Sequence, residues 1–229
     1  MDSERSSRRL RRRTLSRIAG AGFFAAGVGA VCPAWAQAES AASAGVAALE
    51  RFVDDVETLS AQFTQELWSA DQRLLEESAG TLSLKRPNRF YWHYEAPFET
   101  VVVADGESLW MYDVELEQVS VTPLEQMAEA SPAMLLSGGE DLHETFDVAQ
   151  SYSLDGTDWV KLTPKTPGGD FSSVLIGFGD EGLPRHLEYV DGLEQTTRID
   201  FANVVVNAAV DDHVFEFEPP PGADVIGEL

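Results

Sequence analysis

The chain has 229 residues, 44% of them hydrophobic, and carries 39 acidic against 16 basic side chains for a formal net charge of −23. Length and apolar content suffice for a single domain with a sizeable core, whereas nucleic acid is excluded as a partner, because phosphate binding requires clustered Lys and Arg. The single cysteine, Cys32, falls in an N-terminal segment read as a targeting signal, so disulfide and thiol chemistry are excluded from the rest of the chain.

Residues 1–36 have the three parts of a cleavable secretory signal. Arg8 to Arg17 is strongly basic, Ile18 to Val31 is apolar and small, and Ala34-Trp35-Ala36 before Gln37 supplies a small-x-small cleavage pattern. Cleavage after Ala36 leaves one domain over residues 37–229, and the apolar run is too short and too rich in Gly and Ala to read as a membrane span of roughly twenty residues. Arg12-Arg13-Thr14-Leu15 also resembles a twin-arginine signal, so the export route stays open between Sec and twin-arginine. A lipid anchor needs leucine and small residues ahead of its cysteine, a pattern that Gly29-Ala30-Val31 before Cys32 fits poorly. A periplasmic protein is expected. Removing a segment with seven arginines against Asp2 and Glu4 makes the remainder still more acidic. That acidity reads either as solubility in a salty habitat or as a surface that selects basic patches on a docking partner.

Ala47 to Phe63 comes first after the signal, with Leu49, Phe52, Val53, Val56, Leu59 and Phe63 at spacings of three and four. The pattern predicts an amphipathic helix with one apolar stripe, which must lie against something apolar. From Gly80 the period changes to two and turn signals recur at Arg86-Pro87-Asn88, Asp105-Gly106, Asp155-Gly156, Asp180-Glu181-Gly182 and Asp191-Gly192. Strands are predicted at 80–85, 89–94, 100–104, 108–113, 118–121, 151–154, 159–164, 173–178, 185–190, 196–201 and 214–217, an antiparallel meander with hairpin connections. Leu124 to Leu136 interrupts it: Met127, Ala130, Met134 and Leu135 have helix-like spacings around Pro132, and Gly138-Gly139 supplies the stop.

Catalytic patterns are not found. His93, His143, His186 and His213 stand far apart, His143-Glu144 has no second histidine at zinc-protease spacing, and Gly106-Glu107-Ser108-Leu109-Trp110 fails the nucleophile-elbow pattern at its last position. Neither a phosphate loop nor a dinucleotide fingerprint is present, so no enzyme activity, metal or cofactor is expected.

What remains is a greasy sheet face with an arginine in it. The run Leu82, Leu84, Arg86 places the guanidinium on the face of two leucines, and Phe90, Trp92 and Tyr94 repeat the pattern on the next run. Two readings compete: an ordinary core of Phe90, Trp92, Leu82, Leu84 and Met111 beneath the helix, or a cavity in which Met127 and Met134 suit adaptable walls. Arg86 favours the cavity, since a buried charge needs partners and serves better as a tether for a movable part than as packing.

Several separated motifs in order carry a resemblance: Phe63-Thr64-Gln65; Gly80 to His93, which contains Lys85-Arg86-Pro87-Asn88-Arg89-Phe90-Tyr91-Trp92; Ala104-Asp105-Gly106 to Tyr112; Leu116 to Val119; Pro132 to Leu136; Leu162 to Lys165; and Phe215-Glu216-Phe217-Glu218-Pro219-Pro220-Pro221-Gly222. Over nearly the whole of residues 37–229 the chain resembles the LolA family of outer-membrane lipoprotein carriers. The resemblance implies an incomplete, half-open antiparallel β-barrel of about eleven strands over a hydrophobic cavity, with the N-terminal helix and the inserted helical segment as a lid. It implies triacylated lipoproteins as cargo, an inner-membrane ABC transporter as donor and an outer-membrane receptor as acceptor, with the carrier monomeric and without a cofactor. Arg86 matches the family arginine that bonds lid-helix carbonyls in the closed state, Phe90 and Trp92 match cavity-wall aromatics, and Leu82, Leu84, Met111, Met127, Met134 and Leu135 are the further lipid-contacting candidates. The chain departs from the family pattern in the bulk of Arg89 and Tyr91 and in running only to Leu229 after Gly222, where some members carry an extra segment. The outer-membrane receptor of the same pathway and a lipid-sensing half-barrel module are the alternatives that share this sheet.

Overall fold

A computed structural model describes residues 34–124, 136–138, 145–166 and 171–227. Its helix, α1 (Ala34–Asp55), precedes twelve strands: β1 (Thr58–Trp68), β2 (Leu74–Lys85), β3 (Arg89–Ala96), β4 (Thr100–Asp105), β5 (Ser108–Asp113), β6 (Gln118–Pro123), β7 (Phe146–Leu154), β8 (Thr157–Pro164), β9 (Phe171–Phe178), β10 (Pro184–Asp191), β11 (Thr196–Val206) and β12 (Asp224–Gly227). They form one sheet in the order β12-β6-β5-β4-β3-β2-β1-β11-β10-β9-β8-β7. Every pairing is antiparallel except β12 on β6. The sheet is open: β12 and β7 remain as its two edges. The class is therefore mainly β, an unclosed antiparallel sheet with a helix, as the sequence predicts.

Three boundaries differ from the sequence expectation. The helix stops at Asp55, and Leu59 and Phe63 lie on β1, where both are buried. Their spacing of four residues is an even number, so it satisfies a strand as well as a helix, and tertiary pairing with β2 and β11 decides between them. Residues 214–217 are not a strand: Asp212–Phe215 is a 3-10 turn, opened by the Asp211 side chain accepting the His213 amide. The strand count reaches twelve through β1 and β12, which were not predicted; of the ten other predicted strands β5 has the predicted bounds and the rest are extended at one or both ends. Of the predicted helical insert, residues 125–135 lie outside the described residues.

Alternation divides the sheet's side chains between two cores. On the inner face Leu59, Phe63, Leu82, Leu84, Phe90, Leu162, Ile176, Phe178 and Leu187 join Ala48, Leu49 and Phe52 of α1 in one cluster, each large side chain contributing about 1.5–3 kcal/mol by its burial. On the outer face Val103, Trp110, Val119 and Val121 pack with Tyr112 and with Phe217 and Ala223 of the C-terminal segment. Helix α1 lies over β7 and β8, and Gly45 is what lets it come so close: a Cβ there would stand 2.4 Å from the Trp159 carbonyl oxygen.

Candidate functional site

The inner face is filled at one end and hollow at the other. Toward the turns that follow β3 and β5 lies a cavity of about 620 Å³, walled by Phe90, Trp92 and Tyr94 of β3, Val102 of β4, Leu109 and Met111 of β5, Tyr189 of β10 and Ile199 of β11. Pro97, Phe98 and Leu116 complete its apolar rim, and Gln65, Glu76, Ser78, Asp113 and Glu115 also line it. The aromatic wall is ordered by ring contacts, Phe63 edge-on to Trp92 at 5.1 Å and to Tyr94 at 5.2 Å, with Trp92 stacked beside Tyr94 at 6.2 Å.

The polar groups of the wall bond among themselves. Tyr94 Oη donates to Gln65 Oε1 at 3.3 Å, and Ser78 Oγ donates to Glu76 Oε1 at 3.0 Å. Burial is the main reason that the Tyr94 phenol is held well above its ordinary pKa, with further upward pushes from Tyr189 and Glu76. Tyr189 is raised by burial in the same way, although its bond with Thr197 pulls against the shift. Both phenols are therefore neutral at physiological pH, and the wall supplies hydroxyl groups without charge.

At the filled end stands Arg86. Its Nη1 donates to the Val53 carbonyl at 2.5 Å and its Nη2 to the Leu136 carbonyl at 3.0 Å, while the guanidinium lies 4.8 Å from the centre of the Phe52 ring. Val53 is in the last turn of α1, whose carbonyls have no helical partner and present the negative end of the helix dipole. A guanidinium with several fixed donors suits that position. Burial pushes the Arg86 pKa down and Asp54 opposes that push, but an arginine starts so high that it remains charged. Two further bonds join the clasp: the Asn88 amide donates to the Ser137 carbonyl at 3.0 Å, and Asn207 Nδ2 donates to the Asp55 carbonyl at 2.8 Å. These bonds leave two groups unsatisfied, since Arg86 Nε and Ser137 Oγ are buried without partners, each such group costing about 1–3 kcal/mol.

An apolar hollow lies at one end of the inner face, and at the other Arg86 is bonded to the Val53 and Leu136 carbonyls. Residues 54–218 match the model of the family described as "Outer membrane lipoprotein carrier protein LolA". The chain belongs to the LolA family. Relatives named outer-membrane lipoprotein carrier protein include one from Halorhodospira halophila, 43% identical over 78% of this chain and 83% of its own length. Another from Chromohalobacter salexigens is 40% identical over 90% of this chain and 96% of the relative, and one from Nitrosospira multiformis is 36% identical over 80% and 89%. The LolA match takes in Arg86 and every wall residue of the cavity.

The structure distributes the sequence-derived candidates of this LolA-family chain unevenly. Phe90, Trp92 and Met111 line the cavity, the last 45% exposed at its mouth. Leu82 and Leu84 share the inner face but pack in the filled core beside Arg86 and are not wall residues. Met127, Met134 and Leu135 lie outside the described residues. Sequence reasoning left out Gln65, Glu76, Tyr94, Phe98, Tyr189 and Ile199 as wall residues. Tyr94 was visible as the third member of the Phe90, Trp92 alternation, whereas the others come from β1, β2, β10 and β11, and only the pairing order brings them together. Among the described residues no group of three His, Cys, Asp or Glu side chains is arranged to hold a metal.

Proposed function

We propose that this LolA-family lipoprotein carrier works in the periplasm, accepting triacylated lipoproteins from an inner-membrane ABC transporter and delivering them to an outer-membrane receptor. In this reading residues 1–36 are the signal removed on export, and residues 37–229 act as a monomer without a cofactor and without enzymatic chemistry. Exposing acyl chains to water costs roughly 0.8 kcal/mol per methylene, so the cargo crosses an aqueous gap only if it is shielded. The cavity supplies apolar shielding, but several long chains exceed what a pocket within the usual range of roughly 300–1,000 Å³ holds. The cover has to move.

The observation that carries the reading is the Arg86 clasp on Val53 and Leu136 beside that cavity. Opening breaks two charge-assisted hydrogen bonds, and the closed state competes with cargo, lowering apparent affinity by the free energy of opening. Weakened retention makes hand-off downhill to a receptor that has no such clasp. The test is release from proteoliposomes carrying the cognate transporter and a labelled lipoprotein. ATP-dependent appearance of a soluble one-to-one complex is expected, and Arg86→Leu should still load but transfer to the receptor several-fold more slowly. Lipoprotein that remains in the membrane sinks the carrier reading, and unchanged transfer by Arg86→Leu sinks the clasp.

A further inference from the structure

The charge of the cavity has a sign. Glu76, Asp113 and Glu115 line it, and among the described residues no Lys, Arg or His does. The sequence sharpens this, because no Lys or Arg occurs from Phe90 to Val160, the stretch that supplies β3 after Arg89, β4, β5 and the whole connection to β7. Arg86, at the filled end of the inner face, has its Nη1 and Nη2 donors on backbone carbonyls. Glu76 also acts on the wall itself, adding to the upward push on the Tyr94 phenol.

We propose that Glu76, Asp113 and Glu115 make the cavity refuse lipids with a phosphate headgroup, so that it takes acyl chains whose linkage is an uncharged ester or amide. The proposal rests on the lipid-carrier reading and adds the selectivity that reading needs. A carrier that works between two membranes meets phospholipid in large excess over cargo, and both offer the same acyl chains to an apolar wall. Chain burial cannot tell them apart, whereas a phosphodiester drawn to a mouth lined with half-buried Asp113 and exposed Glu76 and Glu115 meets like charge, and among the described residues no cation lines that mouth to offset it. Uncharged carbonyls meet no such penalty, and Gln65, whose Oε1 accepts the Tyr94 hydroxyl, has its neutral Nε2 donor on the same wall for them.

Isothermal titration of the purified protein with dioctanoylglycerol and with dioctanoyl phosphatidylglycerol compares identical chains with and without the phosphate. At low salt the neutral probe should bind about tenfold tighter or more, and the ratio should shrink to about threefold or less in the Glu76→Gln, Asp113→Asn, Glu115→Gln variant and also at molar salt, where exposed charges are screened. Because Asp113 Oδ1 also accepts the Leu116 amide in the turn after β5, Glu76→Gln with Glu115→Gln alone serves as a second variant that keeps that hydrogen bond and should move the ratio in the same direction. Equal binding of the two probes by the wild type overturns the proposal, and so does a ratio that neither charge removal nor salt changes. If neither probe binds, the selectivity proposal also falls, and the lipoprotein release assay then decides separately whether the carrier reading stands.

Discussion

The two ends of the inner face are built from the same strands and differ in what covers them. At the Arg86 end, Leu59, Leu82, Leu84 and Phe90 are all at most 2% exposed, sealed by Phe52 of α1. At the other end the same three strands, β1, β2 and β3, carry Gln65, Glu76 and Tyr94 around a hollow that Met111 of β5 and Ile199 of β11 also line, rimmed by Phe98 at 59% and Leu116 at 70% exposure. One sheet thus separates stability from occupancy. Residues that hold the fold together crowd one end, leaving the other free to be apolar without being packed.

Substitutions should separate the two ends by size of effect. Phe52→Ala removes a ring that touches the Arg86 guanidinium and stands 6.0 Å from Phe178, and it should cost about 3–5 kcal/mol in urea unfolding; a loss below about 1 kcal/mol would mean that the Arg86 end is not what stabilises the domain. Gly45→Ala forces a methyl against the backbone carbonyl of Trp159, so overpacking of about 1–3 kcal/mol should lift α1. Its stability should fall while its apparent affinity for acyl probes rises, and a fall in both would show that α1 is scaffold rather than cover. On the outer face, Asp105 is a control on the side of the sheet away from the cavity: its carboxylate accepts the Glu107 and Ser108 amides and the Trp110 indole at 2.7–2.9 Å. Burial alone would raise its pKa, yet those donors outweigh burial and hold it below the usual value. A depressed folded-state pKa stabilises above the ordinary Asp value of about 3.9 and loses that contribution as pH falls through the lower folded value. Asp105→Ala should therefore cost about 1–3 kcal/mol at neutral pH, and the gap to wild type should narrow in acid melts below about pH 4. Smallest of all, Phe98→Ala at the open rim should change stability by less than about 0.5 kcal/mol while weakening acyl-probe binding measurably; an equal loss of stability would blur the separation.

The clasp was more legible in the sequence than the hollow. Arg86 continues the Leu82, Leu84 alternation one residue past the end of β2, so a period of two was enough to place its charge on the inner face, and the Phe90, Trp92, Tyr94 alternation gave one wall. The rest of the hollow is non-local: Gln65 of β1 and Glu76 of β2 belong to one hairpin, but Tyr189 and Ile199 reach them only because β11 pairs with β1. The boundary after α1 was hidden because Val56-Glu57-Thr58 contains no Gly or Pro to mark the change of period. β12 was hidden for a different reason: its four residues are all exposed, and what defines it is a parallel ladder on β6, begun by the Asp224 amide on the Glu117 carbonyl at 2.9 Å. A strand without a buried face leaves no pattern to read.

Trp92 has one more consequence, an optical one. The other described indole rings lie away from the hollow: Trp68 under the Arg198 guanidinium, Trp110 in the outer core on Asp105, and Trp159 stacked on His186. The chain thus carries its own fluorophore in the cavity wall, and a change in emission that Trp92→Phe abolishes would time the arrival and departure of cargo without any attached dye.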